Sequence, residues 1–394
     1  MLLVKNARIL TMAGIEYQNG YIAADKGKIT ALGDDKQALK RIEHAGPGEV
    51  IDAKGYYVLP GFVDAHCHVG MWEDSVGFEG DDGNETTDPV MPHLRAIDAV
   101  YHEDRAFAEA REAGVTTVVT GPGSANVVGG QFAALKTYGR SVEDMLIREP
   151  VAMKVAFGEN PKTVYHERKQ SPMTRMATAA ILRESLIKAR EYGRMLDEYE
   201  RDKENNDKPD YDMKMEALLR VLKGEIPVKA HAHRADDILT AIRVAKEFGL
   251  KITIEHCTEG HLITDILKEM NVSVITGPFL TDRSKIELRN QSAKAPGIIS
   301  RAGIKTAIMT DHPCTPIQYL PLCAAVAVKE GMDEQEALKA ITINAAEITG
   351  IDDRVGSLEP GKDADIIIMD GHPLELKSRV LYTIINGQVV KRAC

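Results

Sequence analysis

Pro60-Gly61-Phe62-Val63-Asp64-Ala65-His66-Cys67-His68 is the stretch on which the reading of this chain turns. The run Gly61–Ala65 predicts a short buried strand. Successive side chains alternate across a strand, so His66 and His68 project the same way at its C-terminal end. Two imidazoles converging from one strand end make half of a metal site. An isolated His-x-His arises by chance too often to mean much alone, and its weight comes from what surrounds it.

Beyond Leu59, short apolar β-type runs alternate with longer helical stretches, the pattern of βα units around a parallel sheet. Strands are expected near Gly61–Ala65, Thr116–Thr120, Phe132–Thr137, Val151–Phe157, Ile226–Ala230, Lys251–Glu255, Val272–Thr276 and Lys305–Thr310. Eight such strands close a (β/α)₈ TIM barrel of ordinary size. Asp236–Phe248 carries Ile238, Leu239, Ile242 and Ala245 at helical spacing and ends at Gly249. Three more metal-ligating types fall at strand ends: His231 after Ile226–Ala230, His256 after Ile252–Glu255, and Asp311 after Ile308–Thr310. Barrel enzymes assemble their sites on that face, and one of these residues alone would pass as a satisfied core polar group.

The two ends of the chain read differently. Tyr21–Ala24 and Ile29–Gly33 flank Asp25-Lys26-Gly27-Lys28, a hairpin signature, and Asn386-Gly387 marks another before Gln388-Val389-Val390. The simplest assembly joins residues 1–58 and 355–394 into a small discontinuous β-sandwich module beside a barrel of residues 59–354. The barrel would carry a helical insertion at about 160–225. There, Ala177–Arg201 reads as a long charged helix and Asp202–Asp212 as a polar loop. Its duty is either a lid or pocket wall, or a solvated helical layer.

Composition narrows the partners. The 394 residues are 44% hydrophobic and carry a net charge of -10, enough apolar side chains for a large core and the wrong sign for nucleic acid. Cys67, Cys257, Cys314, Cys323 and Cys394 are odd in number and contain no CxxC pair, which fits a reducing setting. Lys5 and Arg8 interrupt the first apolar run, and the stretch Tyr319–Val328 is too short to span a bilayer. The expectation is a cytoplasmic protein acting on a small molecule, with no nucleic-acid or membrane partner. Assembly into a homo-oligomer stays open.

Residues 60–68 resemble the signature of the amidohydrolase superfamily. The resemblance extends over nearly the whole chain, through Ile343-Asn344-Ala345-Ala346-Glu347 and the segment Gly356–Asp365. Ala230-His231-Ala232-His233-Arg234 and Ile254-Glu255-His256-Cys257-Thr258 are similar to the imidazolonepropionase-like branch. The resemblance implies that His66 and His68 bind a first metal. His231 and His256 bind a second, or one of them binds a single metal while the other polarises the substrate. Asp311 is implied as both ligand and proton shuttle. Many binuclear relatives bridge their ions with a carboxylated lysine on the fourth strand. Here that strand end reads Phe157-Gly158-Glu159-Asn160-Pro161-Lys162, so Glu159 is expected as the bridge, with Lys162 as alternative and Lys154 weaker because it falls mid-strand.

The implied chemistry is hydrolysis of an amide-type C–N bond, other than a typical peptide bond, in a small cyclic amide, N-acyl or dipeptide-like compound. One or two divalent ions per chain, with zinc favoured by the His and carboxylate donors over manganese, iron or nickel, would activate water. Asp311 and His256 would serve catalysis. His233, Arg234, Gln131, Tyr165 and Arg175 are candidates for substrate contact, an arginine being suited to a carboxylate. The glycine-rich stretch 121–130 matches neither a P-loop nor a dinucleotide fingerprint and reads as a pocket loop. Two alternatives remain. A deaminase of this superfamily carries a Glu shortly after the fifth-strand histidine, and none follows His231 through Asp237. A non-catalytic scaffold of the same fold should have lost ligands that this chain keeps.

Overall fold

A computed structural model describes residues 1–73 and 77–393. Eight barrel strands hydrogen-bond in sequence order: Phe62–Cys67, Val115–Thr120, Val128–Lys136, Leu146–Ala156, Val228–Ala232, Ile252–His256, Ser273–Thr276 and Thr306–Ile308. The first, second, third and fifth are buried along their whole length, which near-continuous Val, Ala and Thr runs allow when both faces are covered. Helix Ala235–Phe248 turns Ile238, Ala241, Ile242 and Ala245 inward and stops at Gly249, whose φ of 68° suits a residue without a Cβ.

The third strand differs from a regular α/β alternation. It runs antiparallel to both the second and the fourth. Residues 121–127 and 137–145 are its only connections, too short for the crossover of a dozen or more residues that parallel neighbours require. The consequence is functional. The start of this strand, rather than its end, lies beside Val155 and the loop 121–127, at the barrel end that carries His68.

The seam between the eighth strand and the first is stitched by side chain and backbone. Asp64 accepts from the Thr310 N–H (3.1 Å), the Thr310 hydroxyl (2.5 Å) and the His66 N–H (3.1 Å). The Asp311 N–H donates to the His66 carbonyl at 3.2 Å, so the two chain segments that hold the first histidines and the aspartate are locked together.

The chain ends share a second eight-stranded sheet, in which Tyr57–Pro60 lies between Leu2–Leu10 and Ile366–Met369. Both expected hairpins are present, with Lys26-Gly27 and Asn386-Gly387 at positive φ in their turns. This sheet meets the barrel through a buried ion cluster. Lys136, on the third strand, pairs with Asp363 at 2.9 Å and with Asp365.

Between the fourth and fifth strands, helix Arg175–Arg201 buries Leu182, Leu186 and Ala189 in the same core as Leu218 and Val221 of helix Met213–Leu222. These two helices of the insertion form a packed outer layer. Among the described residues no helix is long and apolar enough to cross a membrane. Cys67, Cys257, Cys314 and Cys323 are free thiols, and Cys394 lies outside the described residues.

Candidate metal centre

At the C-terminal end of the first strand, His66 and His68 stand with their ring centres 5.4 Å apart. Asp311, just past the eighth strand, brings Oδ1 to 3.2 Å from His68 Nε2 and 3.6 Å from His66 Nε2. One ligand atom from each of the three lies within 4.8 Å of the others. A second such group is His231, His233 and His256, from the ends of the fifth and sixth strands. Its ring centres are 4.3 to 4.7 Å apart.

In four of the five rings, His231 excepted, the second nitrogen meets a polar neighbour. His68 Nδ1 donates to the Gly121 carbonyl (2.6 Å), and His256 Nδ1 to that of Gly277 (2.9 Å). A carbonyl only accepts, so both protons sit on Nδ1 and both Nε2 lone pairs are free. His66 Nδ1 lies 2.8 Å from the Glu255 carboxylate, and His233 Nδ1 lies 2.7 Å from the Thr258 hydroxyl. Outward acceptors of this kind fix the tautomer and orientation of metal-binding imidazoles. Burial comes first among the causes that pull the pKa of His66, His231 and His233 well below the usual range, and it takes His256 to about 4. Neutral imidazoles are the form that binds a cation. Burial works against ionising Asp311, while the neighbouring Lys154 amine favours its charged form.

The backbone at these positions is strained. His256, Cys257 and Asp311 have φ values of 68°, 50° and 51°, a region that costs a residue with a side chain about 1–3 kcal/mol. The hydrogen bonds around them hold the turns that aim the ligands.

Of the fourth-strand candidates for a bridge, Lys154 is the one that lies beside the histidines of the first strand. It is buried, with Nζ 3.0 Å from His66 Nε2, and burial pushes its amine down to about 8. Its long stem reaches from mid-strand to the ligand layer, which the strand-end argument overlooked. Glu159 opens helix Glu159–Glu167, lines the cavity wall and belongs to neither ligand group; Lys162 does not line the cavity.

The centre opens into a cavity of about 1120 Å³. Of the five side chains expected to touch substrate, only His233 lines it. Arg175 is held by Asp237 (2.9 Å), Arg234 by Asp236 (2.9 Å), and Gln131 donates to the Pro92 carbonyl (3.0 Å). Tyr165 is buried with its hydroxyl against Asn126. Each has a local partner that sequence cannot reveal. The wall is instead built by Trp72, whose ring meets His68 edge-on at 4.7 Å, by Gly123 to Ala125 of the pocket loop, and by the segment Pro278–Leu288. Lys285 is the one lysine or arginine among the described residues that line it, and its Nζ donates to Asn160 Oδ1 at 2.6 Å. His233 was within reach of sequence reasoning, since the alternation that pairs His66 with His68 also pairs His231 with His233. Lys285 sits in an irregular loop and gave no periodic signal.

Histidines at the first, fifth and sixth strand ends with an aspartate at the eighth agree with the expectation from the resemblance. The amidohydrolase family model matches residues 57–390. The chain belongs to the amidohydrolase family. A solved amidohydrolase from Thermotoga maritima MSB8 is 41% identical to it, with a TM-score of 0.94 and 100% of both chains covered. The amidohydrolase tasK of Hapsidospora irregularis is 29% identical over 93% of this chain, which spans only 39% of that protein's length. Imidazolonepropionase from Symbiobacterium thermophilum is 27% identical, covering 94% of this chain and 90% of its own. The donor set of this amidohydrolase, imidazole nitrogens with carboxylate, fits the divalent ions on which the family depends.

Proposed function

We propose that this amidohydrolase hydrolyses an amide-type C–N bond, other than a typical peptide bond, in a small substrate that carries a carboxylate. The observation that carries the reading is the convergence of buried imidazole Nε2 atoms and the Asp311 carboxylate at the floor of the cavity. His66, His68, His231, His256 and Asp311 would hold the metal, for which the donors favour zinc. A bound divalent ion supplies Lewis acidity and lowers the pKa of water at neutral pH. Lys154, if carboxylated at Nζ by carbon dioxide with release of one proton, would offer a further carboxylate ligand beside His66; its closeness to His66 supports it over Glu159.

The chain's own residues then do the rest. Asp311, ionised and in contact with His68, takes the proton of the attacking water and passes it to the leaving nitrogen. Lys285 is suited to hold the substrate carboxylate, as the one lysine or arginine among the described residues that line the wall. The name of the imidazolonepropionase relative, whose substrate is a propionate, agrees with such an anchor. Cyclic amides, N-acyl amino acids and dipeptides all fit a cavity of this size.

The test is Asp311→Asn in metal-loaded protein, screened over those three substrate classes. Loss of a proton shuttle should lower kcat by about 10²–10⁴-fold with the far-UV circular dichroism unchanged. Turnover of a substrate at the wild-type rate by the variant would sink the mechanism.

A further inference from the structure

Ser124, Asn160 and Lys285 meet in the cavity wall from three separate parts of the chain. Ser124 belongs to the pocket loop that follows the second barrel strand. Asn160 lies in the first turn of helix Glu159–Glu167, after the fourth strand, and Lys285 in the segment after the seventh. Asn160 Oδ1 accepts from Lys285 Nζ at 2.6 Å, and Asn160 Nδ2 donates to Ser124 Oγ at 2.6 Å.

The lysine fixes the direction of both bonds. An ammonium only donates, so the amide oxygen of Asn160 faces Lys285 and the amide nitrogen faces Ser124. The same nitrogen lies 3.5 Å from His231 Nε2, so the trio borders the metal centre. Ser124 therefore uses its hydroxyl as an acceptor, and its own proton has no acceptor among the described residues. Lys285 places one of its three protons on Asn160 and forms no ion pair with a carboxylate among the described residues. A neutral partner of this kind holds the ammonium in place without neutralising it.

Two donors are thus left facing the cavity, tied to one amide. An amide keeps its oxygen and nitrogen about 2.2 Å apart, which puts Ser124 Oγ and Lys285 Nζ within about 7.5 Å of each other. A carboxylate has the same planar two-atom spread, and hydrogen bonds of about 2.8 Å to each of its oxygens reach that far. A primary amide of the same shape carries no charge and a single acceptor oxygen, so it satisfies one donor of the two.

We propose that Ser124 is a second donor to the substrate carboxylate, beside Lys285, and that Asn160 is the positioning residue that holds both. The subsite selects small N-acyl amino acids and similar carboxylates over their neutral amides. The inference rests on the reading of a carboxylate substrate and adds Ser124 and Asn160 to it.

The test uses metal-loaded protein with N-acetyl amino acids and their primary amides as paired probes. Calorimetry gives the affinities, and KM replaces them where a probe is turned over. The wild type should favour the acid by at least about tenfold. Ser124→Ala should cut that ratio by about three- to tenfold, and Ser124→Thr, which keeps the hydroxyl, should preserve it. Asn160→Leu, similar in size without polar atoms, should cut the ratio as well, and by less in a Lys285→Met background than alone, as expected of a residue that acts through another. A purely structural Asn160 predicts instead a lower melting temperature and equal losses for acid and amide. Equal losses, or ratios unchanged in Ser124→Ala and Asn160→Leu while Lys285→Met still lowers the ratio, would overturn the proposal alone. A wild type that shows no preference, or that binds neither probe, would overturn it together with the carboxylate reading.

Discussion

Replacing Glu255 by glutamine should damage this protein twice, by amounts that the structure separates. Glu255 is fully buried and inaccessible to water. Its Oε2 pairs with Lys229 Nζ at 3.0 Å and lies 2.8 Å from His66 Nδ1, while Oε1 accepts from the Thr253 hydroxyl at 2.5 Å. Glutamine keeps the shape and the Thr253 contact but leaves the Lys229 ammonium with the Ala65 carbonyl (3.1 Å) and the face of the Phe132 ring (5.7 Å) in place of its counter-ion. Breaking a buried ion pair from one side costs about 3–5 kcal/mol. The retained contacts of both partners place this case near about 3 kcal/mol. Chemical denaturation of the metal-free protein measures that loss.

Removing the second charge gives the control. Glu255→Gln with Lys229→Met should return to within about 1 kcal/mol of wild type, because replacing both members of a buried pair is close to neutral. The other effect concerns His66, which loses the anion that orients it. Ion affinity at that histidine should fall by about 10–100-fold in Glu255→Gln, and the double variant should not recover it. The reasoning fails if metal-free Glu255→Gln unfolds within 0.5 kcal/mol of wild type, taking about 0.5 as the resolution of such comparisons. It fails also if the double variant is less stable than the single one.

Two further outcomes follow from the charges. The Lys136 cluster should respond to acid. Burial alone would raise the Asp363 pKa, but Arg354, Lys136 and Lys28 more than reverse this and hold it down at about 2. A depressed carboxylate stabilises the fold above its unfolded pKa of about 3.9 and ceases to do so as pH falls through about 2. With screening allowed for, about 1–2 kcal/mol should therefore be lost between about pH 4 and pH 2. In Lys136→Met that acid-dependent component should shrink, which denaturation at pH 7 and pH 3 checks. At the pocket, Lys285→Met should raise KM for carboxylate substrates by about tenfold or more with a smaller change in kcat, and leave neutral amides of the same size unaffected; equal effects on both substrate types would remove Lys285 as the anchor.

Much of the site was legible before any coordinates. His66, His68, His231, His256 and Asp311 lie where barrel strands end, and strand periodicity with chain order is local information. The same alternation covers His233, whose closeness to the other two rings is not written in sequence. Lys154 falls mid-strand, yet its long stem carries the amine to 3.0 Å from His66, a reach that strand position does not reveal. The arginines looked free because their partners, Asp236 and Asp237, are recognised as such only once the helices pack.

The barrel, the terminal sheet and the strand-end positions of His66, His68, His231, His256 and Asp311 are legible in the sequence, because hydrophobic period, hairpin turns and alternation act over a few residues. Tertiary structure alone decided three things. It set the reversed third strand, a matter of which strands pair. It set the cavity wall, where Trp72 and Lys285 come from loops without periodicity. It also set the meeting of Glu287 with His231 and His233 across more than fifty residues of chain, where a buried carboxylate faces two imidazoles. Contacts of that kind depend on how distant elements pack, and no local rule of chain geometry encodes them.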